Sequence, residues 1–390
     1  RTMFVDLTPE QHALRLKVRD YFQTLMTPEL RSELRGKEGG ELYRNTIRKM
    51  GADGWLAVGW PKEHGGQGYA ATEQLIFFEE ANIAGAPLPF VTISTVGPAL
   101  MEAGTELQKK KFLPGIAAGE IMFAIGYSEP EAGSDLATLK TSARLEGDHF
   151  VVNGNKLWTS GAEAADYVWL AARTDPNLPR HKGVSILILD TRAEGFSHTV
   201  IPTCSNPTAA TYYDNVKVPK EMLVGELNGG WQLNTAQLNH ERLGLGSWSD
   251  KVVALFRRVL LWAKAKDENG RRAVDAAWVR SLLAECYAKI EAMRLINFRI
   301  AADLERGHMD VALASATKVY GSESVVDILR KLSEIVGASG LVHEGSAAAA
   351  LLGELEYEVR ASVTLTFGGG TNEIQRELVA QFGLGMPRSR

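Results

Sequence analysis

The sequence predicts an α+β chain of three parts: an N-terminal helical domain, a middle antiparallel β-barrel-like domain and a C-terminal four-helix bundle. Three observations carry this reading. Apolar residues recur at helical spacing through residues 1 to about 120 and again from Trp231 onward. Between them the pattern changes to short β-rich runs bounded by turn residues. Segments near 231–262, 272–306, 309–336 and 346–364 are long and amphipathic, and their number and length suit a bundle. The domains are accordingly placed at 1–120, 121–227 and 228–390.

The first helix starts at Thr8-Pro9-Glu10, with Thr8 as cap and Pro9 at the first position. Leu14, Val18, Tyr21, Phe22 and Leu25 then follow helical spacing. Residues 51–68 hold Gly54, Gly59, Pro61, Gly65, Gly66 and Gly68, too many breakers for one regular element. Helices are expected over 72–84, 95–103 and 106–118. In the middle domain, runs at 149–152, 167–171 and 184–189 read as strands, with turns at Glu146-Gly147-Asp148 and Asp175-Pro176-Asn177. In the last part the alanine run Ala347–Ala350 suits the inside of a helix.

Composition narrows the function classes. The chain has 390 residues, 45% hydrophobic and 23% charged, with a net charge of −4, an ordinary profile that gives no reason to expect nucleic acid. Lys109-Lys110-Lys111 is a short basic run of the kind that faces water. No apolar run approaches a membrane span, and the first residues lack the apolar core of a signal peptide. Cys204 and Cys286 show no CxxC spacing and fit a reducing cytoplasm. The histidines show no metal-ligand spacing, so no metal site is expected.

Two blocks in the middle domain invite chemistry. Ala124–Asp135 packs Pro130, Gly133, Ser134 and Asp135 between apolar segments, which makes it a loop with backbone N–H groups and hydroxyls on offer. Asn153–Gly161 sets the indole of Trp158 beside Thr159 and Ser160. An indole is a flat apolar face with one donor, suited to lying along a conjugated ring. Taken alone, each block also reads as an ordinary hairpin turn.

A third run, Thr371-Asn372-Glu373-Ile374-Gln375-Arg376, lies near the C-terminus. With Ser128-Glu129-Pro130-Glu131-Ala132-Gly133-Ser134-Asp135 and Asn153-Gly154-x-Lys156-x-Trp158-x-Ser160-Gly161, in this order, the chain resembles the acyl-CoA dehydrogenase family over nearly its whole length. The resemblance implies the fold of that family and FAD bound non-covalently between the β domain and the bundle. It also implies α,β-dehydrogenation of an acyl-CoA thioester. By resemblance Tyr127 and Ser128 would touch the flavin through backbone and hydroxyl. Gly133 belongs to the same cofactor loop, and Ser134 would sit where FAD and the CoA thioester meet. Trp158 would lie against the ring, with Ser160 bonded to its edge. Thr371 and Glu373 would contact the cofactor from the C-terminal side.

The reaction needs a carboxylate over the substrate α carbon, dry enough to raise its pKa, and donors on the thioester oxygen. Most of the family places this Glu just before the Thr-Asn-Glu-Ile-Gln-Arg run; here that position is Gly369. Either the subunit is inactive or the base comes from elsewhere. A minority of the family carries the base on the first long helix of the bundle, before an arginine, which here is Glu241-Arg242. On a helix Leu238, Glu241, Leu245 and Trp248 share one face, and a carboxylate in an apolar stripe is a candidate for a buried or cavity-lining group. The alternative is that Glu241 pairs with an arginine such as Arg242 or faces solvent. With 369 vacant, Glu241 is preferred as base. Gly369 would offer its backbone N–H to the thioester oxygen, and Arg242 would contact the CoA moiety or hold the loop. Gly368–Gly370 leaves room for a bulky acyl group.

Family members also carry Arg-x-x-Phe-Gly and a later Gln that reach the FAD of a neighbouring subunit. The positions here are Lys266, Asn269, Gly270 and Ala277, and a second crossing motif reads Glu334-Ile335-Val336-Gly337-Ala338-Ser339-Gly340. Lys266 supplies charge without a bidentate fork. These losses suggest pairing with a homologous subunit in an α2β2 heterotetramer, rather than a homo-oligomer. That assembly resembles the acyl-CoA dehydrogenases of bacterial steroid side-chain breakdown, with an electron-transfer flavoprotein as acceptor. Alternatives are a short branched-chain acyl-CoA dehydrogenase, a non-catalytic subunit completing a partner's site, and a flavin monooxygenase on the same fold.

Overall fold

The computed structural model describes residues 6–37, 39–235, 250–308 and 310–388. The chain forms two compact units. One is drawn from the described residues of 1–31, 70–86 and 243–390, and the other from those of 32–69 and 87–242.

The first unit is helical. Helix α1 (Pro9–Leu25) opens on the expected cap: Thr8 Oγ1 accepts from Gln11 N–H, and Gln11 Oε1 accepts from Thr8 N–H at 3.0 Å. After α2 (Pro28–Leu34), which crosses into the second unit, and α3 (Glu41–Ala52), which lies in it, the chain returns with α4 (Ala71–Ala84), which packs on α1. The rings of Phe22 and Phe77 lie 5.7 Å apart, and Arg19 grips Glu80 with bonds of 2.9 and 2.7 Å. With α5 (Gly97–Ala103) and α6 (Glu106–Ala117) belonging to the second unit, the bundle continues in α7 (Asp250–Lys264), α8 (Ala277–Glu305), α9 (Val311–Val336) and α10 (Glu354–Ser362). Val259, Leu283, Ile290, Ile328, Leu332 and Leu355 form its core. The short α11 (Asn372–Leu378) follows.

One helical expectation fails. Ala347–Ala350 does not lie in an α-helix; α10 starts only at Glu354. Ser346 halts the chain first, accepting Ala348 N–H on its hydroxyl and Ala349 N–H on its carbonyl. Leu351 and Leu352 then take positive φ values of 53° and 58°, which no continuous helix allows.

The second unit is built on one eight-stranded sheet in the order β6-β7-β3-β2-β4-β5-β8, with β1 pairing β4. The strands are β1 (Phe123–Gly126), β2 (Ser142–Glu146), β3 (His149–Lys156), β4 (Tyr167–Arg173), β5 (Val184–Asp190), β6 (Phe196–Ile201), β7 (Thr208–Pro219) and β8 (Leu223–Val224). Most pairs are antiparallel as expected, but β1 and β2 each run parallel to β4. Interior strands β4 and β5 are buried almost end to end, because both faces of the sheet are covered. One face joins Phe150, Val152, Val168, Leu170, Leu187 and Val216. The other meets α6, where Phe112 stands edge-on to Phe123 and Tyr167 at 5.7 and 5.1 Å. Opposite β3, β7 carries a bulge at Asn215, whose φ of 53° an Asn tolerates, and Asn153 Oδ1 accepts its N–H at 2.9 Å. No helix among the described residues is long and apolar enough to cross a membrane.

Candidate active site

Strands β1 and β3 end beside each other, and the two singled-out loops leave from those ends. Leu157 donates its N–H to Ser128 O at 2.8 Å, tying loop to loop. Beneath them lies Lys156, fully buried at the end of β3. Its ammonium donates to Tyr127 O at 3.0 Å and to Glu129 Oε1 at 2.8 Å. Glu129, 7% exposed, also accepts the N–H groups of Lys140 and Thr141 at 2.6 and 2.9 Å. Each charge is paired, and the carboxylate caps a chain turn as well, which is the condition for keeping an ion pair out of water.

Burial works against the charged form of Glu129. The Lys156 ammonium and the two backbone donors more than offset it, holding the carboxyl below its usual range. Burial likewise pushes the Lys156 ammonium down to about 8 against the pull of Glu129, so the pair is ionised at neutral pH. A carboxyl with a depressed folded pKa contributes stability that is complete above its unfolded value of 4.5 and lost as pH falls through the folded one. Urea midpoints should therefore fall steeply below that value in the wild type and less steeply in Glu129→Gln. Equal slopes would remove Glu129 from the acid transition.

On this clamp the site residues take their places. The Tyr127 hydroxyl accepts from Trp169 Nε1 at 3.1 Å, so the phenol is held inward while its loop carries the backbone forward. Ser128 stands half-buried next to it. Glu129 and Ala132 exchange backbone hydrogen bonds of 2.9 and 3.1 Å, closing a tight turn that leaves Gly133 and Ser134 exposed. Trp158 is the notable residue: its indole is 58% exposed and its φ is +66°. A left-handed tryptophan costs about 1–2 kcal/mol and persists only where neighbours enforce it. Here Leu157 is bound to Ser128, and Thr159 N–H to Ala209 O at 2.9 Å, so both flanks are fixed. Ser160 is exposed, its hydroxyl 3.0 Å from that of Thr208. The structure thus gathers Tyr127, Ser128, Trp158 and Ser160 on one surface of the sheet unit.

The bundle unit holds the remaining described residues. Thr371 caps α11, its hydroxyl accepting Ile374 N–H at 3.3 Å. Glu373 is exposed in the first turn of that helix, where the backbone N–H groups and Thr371 hold its carboxyl below the usual range. Gly369 and Gly370 are exposed with φ of 68° and 89°. Lys266 and Asn269 lie exposed in a turn knotted by Asp267, whose carboxylate accepts Asn269 and Arg271 N–H groups, and Ala277 is exposed at the start of α8. Glu241 and Arg242 lie outside the described residues.

Family models described as the acyl-CoA dehydrogenase N-terminal, middle and C-terminal domains match residues 8–120, 124–216 and 228–384. The chain belongs to the acyl-CoA dehydrogenase family. Acyl-CoA dehydrogenase FadE26 of Mycobacterium tuberculosis is 50% identical, aligned over 99% of this chain and all of its own length. Among solved structures, the ChsE4–ChsE5 complex from Mycobacterium tuberculosis matches at 50% identity and a TM-score of 0.93, covering 99% of this chain and 100% of that one. A structure described as Tcur3481–Tcur3483 steroid ACAD matches at 49% and 0.94 with the same coverage.

This acyl-CoA dehydrogenase is a flavoprotein, and FAD is its cofactor. The sheet unit fits that group: an indole held out of the core in a strained conformation, beside hydroxyls and a half-buried serine, offers a face for a flat ring and polar atoms for its edge. Sequence reasoning did not assign roles to Lys156, Glu129 or Trp169. For Lys156 the signal was present, since strand alternation puts it in line with inward-facing Phe150 and Val152.

Proposed function

We propose that this acyl-CoA dehydrogenase is the base-carrying subunit of a heteromeric enzyme that dehydrogenates a bulky, steroid side-chain acyl-CoA at its α,β bond. The observation that carries the reading is similarity along the entire chain to a two-protein complex and to a protein described as a steroid acyl-CoA dehydrogenase. The exposed Lys266 and the exposed Ala277 support it too, because the first lacks the bidentate fork and the second the side-chain amide that a neighbour's cofactor would need. A homologous partner would supply them.

In this reading Glu241 takes the substrate α proton and Arg242 contacts the CoA moiety. A base acting on a weak carbon acid needs a site dry enough to bring a carboxyl's pKa up towards the working pH. The backbone N–H of Gly369 donates to the thioester oxygen as negative charge grows there, and Ser134 contacts the substrate. Tyr127, Ser128, Gly133, Trp158, Ser160, Thr371 and Glu373 hold the cofactor. FAD, when bound, supplies the acceptor for the β hydride. The division into domains at 1–120, 121–227 and 228–390 goes with this assignment. An electron-transfer flavoprotein is the acceptor it implies, and a reducing cytoplasm suits the unbridged Cys204 and Cys286.

Co-expression tests the reading. The chain alone is expected to purify poor in flavin, and together with a homologue that keeps the crossing arginine and glutamine, flavin-saturated. Under anaerobic conditions a steroid side-chain acyl-CoA should bleach that flavin at least about tenfold faster than isovaleryl-CoA. A flavin-saturated, active homo-oligomer of this chain would overturn the partner assignment, and preference for isovaleryl-CoA the substrate.

A further inference from the structure

The glycine turn that this reading places against the thioester is a poor holder of position. Phe367, Gly368, Gly369 and Gly370 are all exposed, and two of the three glycines sit at positive φ. Each glycine has more backbone conformations to lose than any other residue, and three stand in a row here. Its order must come from what grips its ends.

Both ends are gripped by one side chain. Lys318, on α9, donates from Nζ to Thr366 O at 3.1 Å and to Asn372 Oδ1 at 2.8 Å. Thr366 stands immediately before the turn, and Asn372 is the first residue of α11 immediately after Thr371. Asn372 is 3% exposed, and its amide group donates onward to Ser322 Oγ at 3.0 Å and to Glu323 Oε1 at 3.1 Å, so its own position is fixed from the same helix. Arg376 completes the brace through two bonds to Glu323 of 2.7 and 2.9 Å. Within the turn, Gln375 Nε2 reaches Gly369 O at 3.4 Å.

We propose that Lys318 is a positioning residue for the reaction, stapling the two feet of the Phe367–Thr371 turn so that the Gly369 N–H is held where a thioester oxygen can accept it. The proposal rests on the reading of Gly369 given above. Burial lowers the Lys318 ammonium to about 8 against the pull of Glu373 and Glu323, which leaves it charged at neutral pH, and charge-assisted bonds to a carbonyl and an amide are the strong kind. Displacing a catalytic donor by as little as an ångström is enough to lose much of its effect.

The test uses the flavin-loaded assembled enzyme carrying Lys318→Met, with Lys318→Arg beside it. Three readouts are taken: hydrogen exchange of the 367–371 amides, turnover, and the infrared C=O stretch of a bound steroid side-chain acyl-CoA labelled with carbon-13 at the thioester. In Lys318→Met, exchange should quicken about tenfold or more, kcat should fall about 10–100-fold with KM little changed, and the C=O stretch should move back towards its value in water. Lys318→Arg should recover part of each. Unchanged exchange overturns the staple whatever the activity. Faster exchange with kcat and C=O stretch at wild-type values overturns the positioning role. If Lys318→Met fails to assemble or loses flavin, Lys318→Gln is judged on the same three readouts. A wild-type enzyme that turns over no acyl-CoA overturns the functional reading separately, since the exchange measurement needs no turnover.

Discussion

Lys156→Met should cost about 3–5 kcal/mol of stability, because it leaves the Glu129 carboxylate buried without its cation. It should also strip the enzyme of flavin. Lys156 holds Tyr127 O and, through Glu129, the turn at Lys140 and Thr141, so the loops of Tyr127–Ser134 and Trp158–Ser160 lose their common anchor at once. The double variant Glu129→Gln, Lys156→Met should regain part of the loss. The amide no longer carries a buried charge, yet it brings one carbonyl oxygen to two backbone N–H groups that a carboxylate serves with two. Urea unfolding of the four proteins gives the coupling energy, and visible absorbance per polypeptide gives the flavin content. A Lys156→Met enzyme as stable and as yellow as the wild type would mean that the loops hold themselves.

This clamp also shows what a sequence can and cannot disclose. The alternation Phe150, Val152, Gly154, Lys156 points the lysine inward, and the bulge that could have broken that parity lies on β7 at Asn215, not on β3. The lysine was therefore legible; its partner was not, because Glu129 arrives from a loop with no period to read. Strands β3, β4 and β5 were visible because they bury apolar side chains. β6 was not, since it is an edge strand with no buried residue, and β2 offers one buried side chain in five. The cap at Thr8 followed from residue types alone. The failure at Ala347–Ala350 has the opposite cause: helix propensity yielded to Ser346 and to the left-handed pair Leu351–Leu352. Trp158 was picked out for its ring, but nothing in the letters announces a tryptophan at positive φ. Lys318 was passed over because one lysine on a long helix looks like any other until the carbonyl it meets is known.

Glu241→Gln should lower the rate of flavin bleaching by acyl-CoA about 10²–10⁴-fold in the assembled enzyme, the usual worth of a general base, while flavin content and stability stay close to wild type. The glutamine keeps the shape and loses only the ability to take the α proton. Anaerobic stopped-flow against the chosen acyl-CoA measures it, and an unchanged rate would assign this chain the role of completing a partner's site. The position the base occupies in most of the family gives a second lever. Gly369 sits at φ +68°, where a glutamate costs about 1–2 kcal/mol. Adding Gly369→Glu to Glu241→Gln should therefore restore only part of the rate, and the intruding side chain should cost a bulky acyl group more than a small one. Recovery that is equal for steroid side-chain and short acyl-CoA substrates would show that the space above Gly368–Gly370 has no part in choosing the substrate.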